Sequence, residues 1–202
     1  MVYLTLANPD AIRYACMNYH YAERVPINAI SFNVYQDGVW CGVIMYGYGA
    51  NPYIAENYGK WQGQVLELVR VALNGKQNTT SECLAVSLKM LKKYAPMVDM
   101  VVSFADKDQD HEGIIYQATN WLYTGVSGEG ANNIFVINGK EMHQRSIGAK
   151  GWKFNEKWLR ENVDKNATQS RSKGKIKYIY PLNKKMRRQV KDLALPYPKS
   201  KE

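Results

Sequence analysis

Residues 65–105, VLELVRVALNGKQNTTSECLAVSLKMLKKYAPMVDMVVSFA, contain the pattern that decides the fold. The segment 65–73 is rich in Val and Leu, which favours a strand. Leucines then recur at helical spacing until Pro96, before which the helix should end. Residues 98–105 are almost continuously apolar, which is typical of a strand covered on both faces. This stretch therefore predicts a strand, a helix and a second strand.

The segments on the N-terminal side add a helix and a hairpin. After a short opening strand, Asn8 can cap a helix that has Pro9 in its first position. Residues 29–47 read as two strands around Asp37-Gly38, a dipeptide that favours a hairpin turn. The following loop, residues 47–63, is rich in Gly, Asn and Tyr and has no periodicity. Long loops in compact domains tend to be functional.

The C-terminal side continues the alternation of helices and strands. The pattern predicts helices at 112–121, 155–163 and 183–194, strands at 122–126, 133–145 and 175–180, a hairpin turn at Asn138-Gly139 and a loop at 168–174. We therefore expect an α/β fold, in which a layered mixed sheet carries helices on both faces. Residues 1–145 would form this domain, and residues 146–202 a basic C-terminal extension packed on it.

The composition is that of a globular protein with one core. Of the 202 residues, 46% are hydrophobic and 22% are charged. No apolar run approaches the roughly 20 residues that span a bilayer, and the first residues lack the basic region of a signal peptide. We therefore expect a cytoplasmic protein that does not bind membranes. The three cysteines are far apart without zinc-site spacing, which predicts core positions for Cys16, Cys41 and Cys83.

Positive charge is concentrated in the last third of the chain. Residues 1–139 carry 9 Lys/Arg against 12 Asp/Glu, whereas residues 140–202 carry 18 against 6. Such clusters release counterions from a phosphate backbone, and nearby aromatic rings can stack on unpaired bases. We interpret this end as a DNA-binding surface. A solubilising tail is the alternative, and an anionic membrane fits less well. The candidate DNA-binding residues are Lys173, Lys175, Lys177, Lys184, Lys185, Arg187 and Arg188.

Arg70 is a charged residue in the predicted strand 65–73, and its guanidinium needs an ionic or hydrogen-bonding partner. Alternation directs Glu67 to one face of the strand. The other face carries Arg70 together with Leu66, Leu68 and Ala72. A guanidinium among aliphatic side chains is costly unless a carboxylate or a bound anion meets it. Asp106 is the first candidate, because ligands of open α/β sheets bind beyond the carboxyl ends of strands. A structural ion pair is the alternative reading.

An acidic run follows the second buried strand. It consists of Asp106, Asp108, Asp110 and Glu112. A calcium loop of the EF-hand type does not fit, because His111 stands where glycine is needed and Gln117 where an acidic residue is needed. A site for another hard metal and an acidic cap of the next helix remain as alternatives.

Tyr116 and the pair His20-Tyr21 are the other chemical candidates. Tyr116 comes early in the helix after Asp106, where a phenol can act as general acid or hydrogen-bond donor; otherwise it is a core aromatic. His20 and Tyr21 lie in a polar and aromatic loop without helix or strand period. A histidine there can orient a base, bind metal or titrate, or it can be structural.

Several of these segments together resemble the Mom family of phage DNA-modification proteins. The resembling stretches are Tyr19-His20-Tyr21, Arg24-Val25-Pro26, Gly47-Tyr48-Gly49-Ala50-Asn51, Glu67-Leu68-Val69-Arg70-Val71-Ala72, Ser103-Phe104-Ala105-Asp106, Ile115-Tyr116-Gln117-Ala118 and Asn120-Trp121. The resemblance implies a fold like that of GNAT-type acetyltransferases. It also implies an activity that converts adenine in double-stranded DNA to its N6-carbamoylmethyl derivative, which shields phage DNA from host restriction enzymes in the bacterial cytoplasm.

The resemblance also implies which residues act. The functional positions would be His20, Tyr21, Arg70, Asp106 and Tyr116. A link of the family to iron makes His20 and Tyr21 candidate iron ligands. The resemblance names no donor for the transferred group, and it is compatible with a homodimer. The alternatives are a GNAT-type acetyltransferase that acts on a protein or a small molecule, and a non-catalytic DNA-binding protein.

Acetyl-CoA is disfavoured as donor by the turn at residues 74–81. This turn follows the strand at which acetyltransferases of this type hold pyrophosphate with glycine-rich backbone, and here it contains one glycine, Gly75. For the reaction itself we expect Asp106 to accept a proton from the amine, Arg70 to hold the donor or the carboxylate, and Tyr116 to donate to developing negative charge. An extruded base could stack on Tyr19, Tyr21, Tyr48, Tyr53 or Trp61.

Overall fold

A computed structural model describes residues 1–49, 51, 53–107 and 111–198. Asp108 and Asp110 of the acidic run lie outside the described residues, and the side chains of His143 and Arg145 are not described either. The chain divides into two compact units. The first unit consists of Met1–Phe104, Gly113–Gly125 and Lys177–Glu202, and the second of Ala105–Glu112 and Val126–Ile176.

Strands and helices alternate along most of the chain. In order they are β1 Val2–Leu6, α1 Pro9–Asn18, β2 Ile30–Gln36, β3 Val39–Gly47, β4 Val65–Leu73, α2 Thr80–Tyr94, β5 Met100–Asp106, α3 Ile114–Gln117, β6 Leu122–Ser127, β7 Asn133–Ile137, β8 Lys140–His143, α4 Gln144–Ala149, α5 Glu156–Asn162, β9 Thr168–Arg171, β10 Lys175–Pro181 and α6 Lys184–Val190. Short 3₁₀ turns lie at Glu56–Tyr58, Gln62–Gln64 and Lys191–Leu193.

The large sheet has seven strands in the order β1-β2-β3-β4-β5-β10-β6. Strands β1 to β4 pair antiparallel, and α2 provides the crossover that makes β5 parallel to β4. The mixed sheet predicted from residues 65–105 is thus confirmed. The β4–β5 ladder is short, since it runs from Val65↔Met100 to Glu67↔Val102.

The boundary expected at residue 145 is replaced by a different division. Strand β10, from the basic end of the sequence, lies inside the large sheet between β5 and β6. Helix α6 buries Met186 and Val190 in the same hydrophobic cluster as Val65 and Met100. These elements are part of the first unit because their apolar faces complete its core, whereas residues 146–176 belong to the second unit.

Local signals explain why the first elements form. The Asn8 side chain accepts a hydrogen bond of 2.8 Å from the Ala11 amide and caps α1, and Pro9 occupies the first turn. At the β2–β3 turn, Asp37 and Gly38 both have positive φ, as the hairpin turn requires. The Thr79 hydroxyl caps α2 by accepting from the Glu82 amide. The three cysteines are buried and free, as predicted.

Helices cover both faces of the large sheet. Met45 and Tyr46 are neighbours in β3 and therefore point to opposite faces. Met45 packs with Cys16 of α1, whereas the Tyr46 hydroxyl lies 2.6 Å from the Ser87 hydroxyl of α2. We call these the α1 face and the α2 face. The predicted arrangement with helices on both faces is therefore confirmed.

The second unit has its own small core. Its sheet has the order β8-β7-β9, and Phe135, Ile147 and Leu159 are fully buried beneath it with α4 and α5. The loop expected at 168–174 is in part strand β9, whose four exposed residues carry no apolar pattern that could reveal it. The helix expected at 112–121 shortens to α3, because Gly113 and Asn120 adopt left-handed backbone at its two ends.

Among the described residues, no helix combines the length and the apolar character needed to cross a bilayer.

Candidate active site

A β-bulge in β4 decides where its side chains point. Met45 of β3 pairs with Arg70, but the next residue, Tyr46, pairs with Leu68, so Val69 is the extra residue. Paired residues share a face, so Arg70 lies on the α1 face and Leu68 on the α2 face. The expectation that Leu66, Leu68 and Arg70 share one face is therefore wrong, because an extra residue reverses the alternation.

Glu67 joins Arg70 on the α1 face, contrary to the sequence expectation. Its partner in β3 is Gly47, which lies on the same face as Met45. The Glu67 carboxylate packs against Gly49, where a Cβ atom would collide with it. The long loop after β3 therefore uses a glycine with positive φ to admit this carboxylate. Sequence reasoning missed Glu67 because the bulge has no signature in a run of Val and Leu.

Arg70 meets a histidine. Its side chain is buried, with the residue 8% exposed, and Nη1 lies 2.8 Å from Nδ1 and 3.0 Å from Nε2 of His20. Burial lowers the pKa of Arg70; Cys16 and Tyr21 oppose this effect, and Arg24 adds to it. Within the first unit no carboxylate forms an ion pair with Arg70, and its buried Nε has no hydrogen-bond partner among the described residues. The guanidinium therefore keeps donor capacity for a ligand.

His20 is held as an acceptor by the loop that follows α1. Its Nδ1 accepts from the Ala22 amide at 3.0 Å and also faces the Arg70 guanidinium. Both groups that face Nδ1 are donors, so Nδ1 serves as a hydrogen-bond acceptor. The Tyr21 ring lies 4.3 Å from the imidazole, centroid to centroid, and is more than half exposed.

Iron does not fit this histidine. The Arg70 cation lies within 3.0 Å of both ring nitrogens, so a metal ion on either would meet a guanidinium. No group of three or more His, Cys, Asp or Glu side chains that could hold a metal occurs in the part of the chain that the structure describes. For the acidic run this covers only Asp106, His111 and Glu112.

Tyr116 is a buried phenol on the α2 side of the sheet. The Ser103 hydroxyl donates to its Oη at 2.9 Å, and the Trp121 and Tyr178 rings pack at centroid distances of 5.1 and 5.0 Å. Gly113 permits this packing, because a Cβ atom there would collide with the Tyr178 ring. Burial raises the pKa of Tyr116 to about 12, against the opposing effect of Ser103. Tyr116 is therefore a hydrogen-bond donor at neutral pH.

The strand residues of this site lie where β4 and β5 stop pairing: Glu67 and Arg70 on β4, and Ser103, which contacts Tyr116, on β5. The ladder ends at Glu67↔Val102, and Arg70 and Ser103 follow on the two strands. The charge of Glu67 and that of Tyr21 each raise the pKa of Tyr116, and Tyr21 also acts on Arg70. Four of the five predicted catalytic residues thus lie in the first unit, with Arg70 and His20 in direct contact.

Asp106, the fifth predicted residue, is the last residue of β5 and belongs to the second unit. Its carboxylate lies 3.5 Å from the Lys175 ammonium, and the Asp106 side chain is mostly buried. The partner that the structure shows for Asp106 is therefore a lysine of β10. Its catalytic role stays a prediction.

The predicted DNA-binding residues form two groups with different environments. Four lie on α6, where all are exposed while Met186 and Val190 face the core. They are Lys184, Lys185, Arg187 and Arg188, and among the described residues they form no ion pair. In the second group Lys175 pairs with Asp106, Lys177 lies 5.2 Å above the Tyr58 ring, and Lys173 is exposed before β10. The α6 cations are the group available to an external anion.

A cavity of about 530 Å³ lies on the α2 side of the first unit. Its walls include Lys89 and Lys92 of α2, Thr119 and Asn120 after α3, and Tyr180 of β10. The turn before α2 contains one glycine, Gly75, and the acidic Glu82 lies in the first turn of α2, where it would oppose a pyrophosphate.

Comparison with known proteins agrees with this architecture. An acetyltransferase of Bacillus subtilis in complex with coenzyme A has a similar structure, with a TM-score of 0.51 over 90% of this chain and 99% of that chain at 8% identity. The fold is that of the GNAT-type acetyltransferases. The Methylcarbamoylase mom of Escherichia phage Mu is 27% identical over 194 residues, 89% of this chain and 76% of the phage protein. The Mom protein family matches residues 3–199, and the chain belongs to this family.

Proposed function

We propose that this protein is a phage DNA-modification enzyme that transfers a carbamoylmethyl group to the exocyclic amine of adenine in double-stranded DNA. The product would protect phage DNA from restriction in the host cytoplasm. The observation that carries the proposal is the family match over residues 3–199, supported by the phage Mu relative named a methylcarbamoylase. The cluster around Arg70 supplies chemistry suited to such a transfer.

Adenine must leave the double helix before it can react. Its exocyclic amine is paired and stacked in the duplex, and its lone pair is delocalised into the ring. Extrusion of the base costs a few kcal/mol, which stacking and phosphate contacts offset. The exposed Tyr21 ring beside His20 offers a surface for the extruded purine, and the α6 cations offer contacts for phosphates.

The transfer exchanges one covalent bond for another. A bond forms between adenine N6 and the methylene carbon of the donor while the bond from that carbon to the leaving group breaks. The electron pair of the broken bond departs with the leaving group, and N6 gives up one proton. Arg70 would hold the donor through its unpartnered Nε, and the protonated Tyr116 would donate to developing negative charge.

A carboxylate is the natural acceptor of the N6 proton. The sequence singles out Asp106, and the structure of the first unit adds Glu67. Glu67 is favoured by its place on the face of Arg70 and by its electrostatic effect on Tyr116. Asp106 has the Lys175 ammonium beside it.

Mass spectrometry of nucleosides from cells that express the chain tests the proposal. Wild type should yield a nucleoside heavier than deoxyadenosine by one carbamoylmethyl group. Glu67→Gln should abolish the product, and the exposed Glu56→Gln should not. A normal yield from Glu67→Gln together with none from folded Asp106→Asn would show that Asp106, not Glu67, accepts the N6 proton. Only normal nucleosides with wild type would refute the function, and acetylation of a protein or small molecule by acetyl-CoA would favour the acetyltransferase alternative.

A further inference from the structure

Trp61 is exposed to a degree that the fold does not explain. The residue is 82% exposed, although tryptophan is among the side chains that lose most by contact with water. Its backbone is nevertheless held firmly. The Trp61 amide donates to Gln64 Oε1 at 3.1 Å, and the Gln64 amide donates to the Trp61 carbonyl at 2.9 Å. A hydrogen-bonded turn thus carries a large ring that packs on little of its own chain.

Asp99 ties this turn to the start of α6. Its Oδ2 accepts from the Lys60 ammonium at 2.6 Å, and its Oδ1 accepts from the Asn183 amide group at 2.6 Å. Lys60 immediately precedes Trp61, and Asn183 caps α6. The Lys60–Asp99 pair is largely buried, with side chains 12% and 20% exposed. Trp61 and Lys184 therefore each directly follow a residue that binds Asp99.

A second set of contacts joins the same loop to the body of α6. Gln189 donates to the Tyr58 carbonyl at 2.8 Å, and Ile54 and Tyr58 pack with Met186 and Val190 in one buried cluster. The outer face of α6 is left with its cations, extended by the exposed Lys191. Asp192 is the only acidic residue in the described segment 177–198. These contacts join the segment that carries Trp61 to the helix that carries the basic face.

We propose that this composite surface, Trp61 with Lys184, Lys185, Arg187, Arg188 and Lys191, docks duplex DNA, and that Trp61 stacks on a base that has lost its pairing partner. The charge complementarity of five cations and one acid favours a polyanion over a protein partner. An aromatic ring beside phosphate-binding cations is the arrangement that binds unstacked bases. The inference rests on the proposed function, since extrusion of the target adenine supplies such a base.

Two variants of Trp61 distinguish stacking on a base from DNA binding that does not depend on stacking. The probe is a duplex with one unpaired adenine, compared with the fully paired duplex of otherwise equal sequence. Trp61→Ala should bind the unpaired probe about tenfold more weakly than wild type does, with a smaller loss on the paired duplex. Trp61→Phe should keep most of the affinity. Tyr14→Ala, which removes another aromatic ring that is 54% exposed, should bind both duplexes like wild type.

Salt dependence and activity complete the test. Trp61→Ala should leave the slope of log affinity against log salt unchanged. Lys184→Gln or Arg188→Gln should each make this negative slope shallower by about 0.9. The inference is overturned if folded Trp61→Ala binds the unpaired probe as tightly as wild type, or if Tyr14→Ala loses as much affinity. If Trp61→Ala loses affinity as expected while wild type yields no modified adenine, the proposed function fails and the DNA-docking surface stands.

Discussion

The contact between Arg70 and His20 is the most informative feature at the scale of single residues. A buried guanidinium whose partner is an imidazole rather than a carboxylate lacks the ion pair that would repay its desolvation. A residue kept at such a cost points to a ligand rather than to the core. Any ligand with an anionic or carbonyl oxygen could accept a hydrogen bond from the guanidinium.

Replacement of Arg70 by an apolar side chain separates a role in ligand binding from a role in the stability of the core. Arg70→Met should leave the free energy of unfolding unchanged or raise it by about 1 kcal/mol, because the change removes a buried charge that has no counterion. It should abolish DNA modification. Urea unfolding and nucleoside mass spectrometry measure the two effects, and the exposed Arg24→Met is the matched control. A loss of stability in Arg70→Met would assign Arg70 to the core.

Tyr116 makes stability depend on alkaline pH. Burial raises the pKa of Tyr116 in the folded chain to about 12, against 10.0 when it is unfolded. Between these values the unfolded chain binds fewer protons, so the free energy of unfolding falls as pH rises, by on the order of 2 kcal/mol. Tyr116→Phe should show a smaller fall between pH 10 and 12 in urea unfolding. Equal falls in both proteins would contradict a buried phenol.

At the scale of elements, the loop after β3 is coupled to the carboxylate of β4. Gly49 has a φ of +72°, and a Cβ atom there would collide with the Glu67 carboxylate. Gly59 has a φ of +61° but open space around it. Both alanine variants should lose about 1 kcal/mol of stability to left-handed backbone. Only Gly49→Ala should also reduce the rate of modification, because it displaces Glu67. Equal rates in the two variants would remove Glu67 from the reaction.

The elements themselves could be predicted wherever a local signal exists. Asn8 with Pro9, Asp37-Gly38 and the leucines of α2 place a helix start, a turn and a crossover helix without knowledge of the rest. The bulge at Val69 could not be predicted, because Leu68, Val69 and Val71 are all apolar and the sequence does not show which residue between Glu67 and Arg70 is the extra one. Because of this one extra residue, Glu67 and Arg70 lie on the same face of the strand rather than on opposite faces. This was the main error in the predicted site.

At the scale of the whole chain, composition alone could not reveal the division into units. The charge rises after residue 139, which predicted a basic extension, but charge does not report which segments pair as strands. Strand β10 and helix α6 return to the first unit because their apolar residues fill its core, as Ile179 and Met186 do. The cations of α6 are consequently displayed by the same unit that carries Arg70 and Tyr116.

The position of these cations predicts a specific effect of salt on DNA binding. Each phosphate contact makes the negative slope of log affinity against log salt steeper by about 0.9. Replacement of Lys184, Lys185, Arg187 and Arg188 by Gln should therefore make the slope shallower by about 3.6. The control variant replaces Lys76, Lys89, Lys92 and Lys93, which are also exposed, and has the same net charge. Its slope should stay close to that of wild type, because these four cations lie outside the proposed docking surface and would contact no phosphates. Titration of a labelled duplex at several salt concentrations measures both slopes. Equal reductions would mean that net charge, rather than the α6 surface, attracts the DNA.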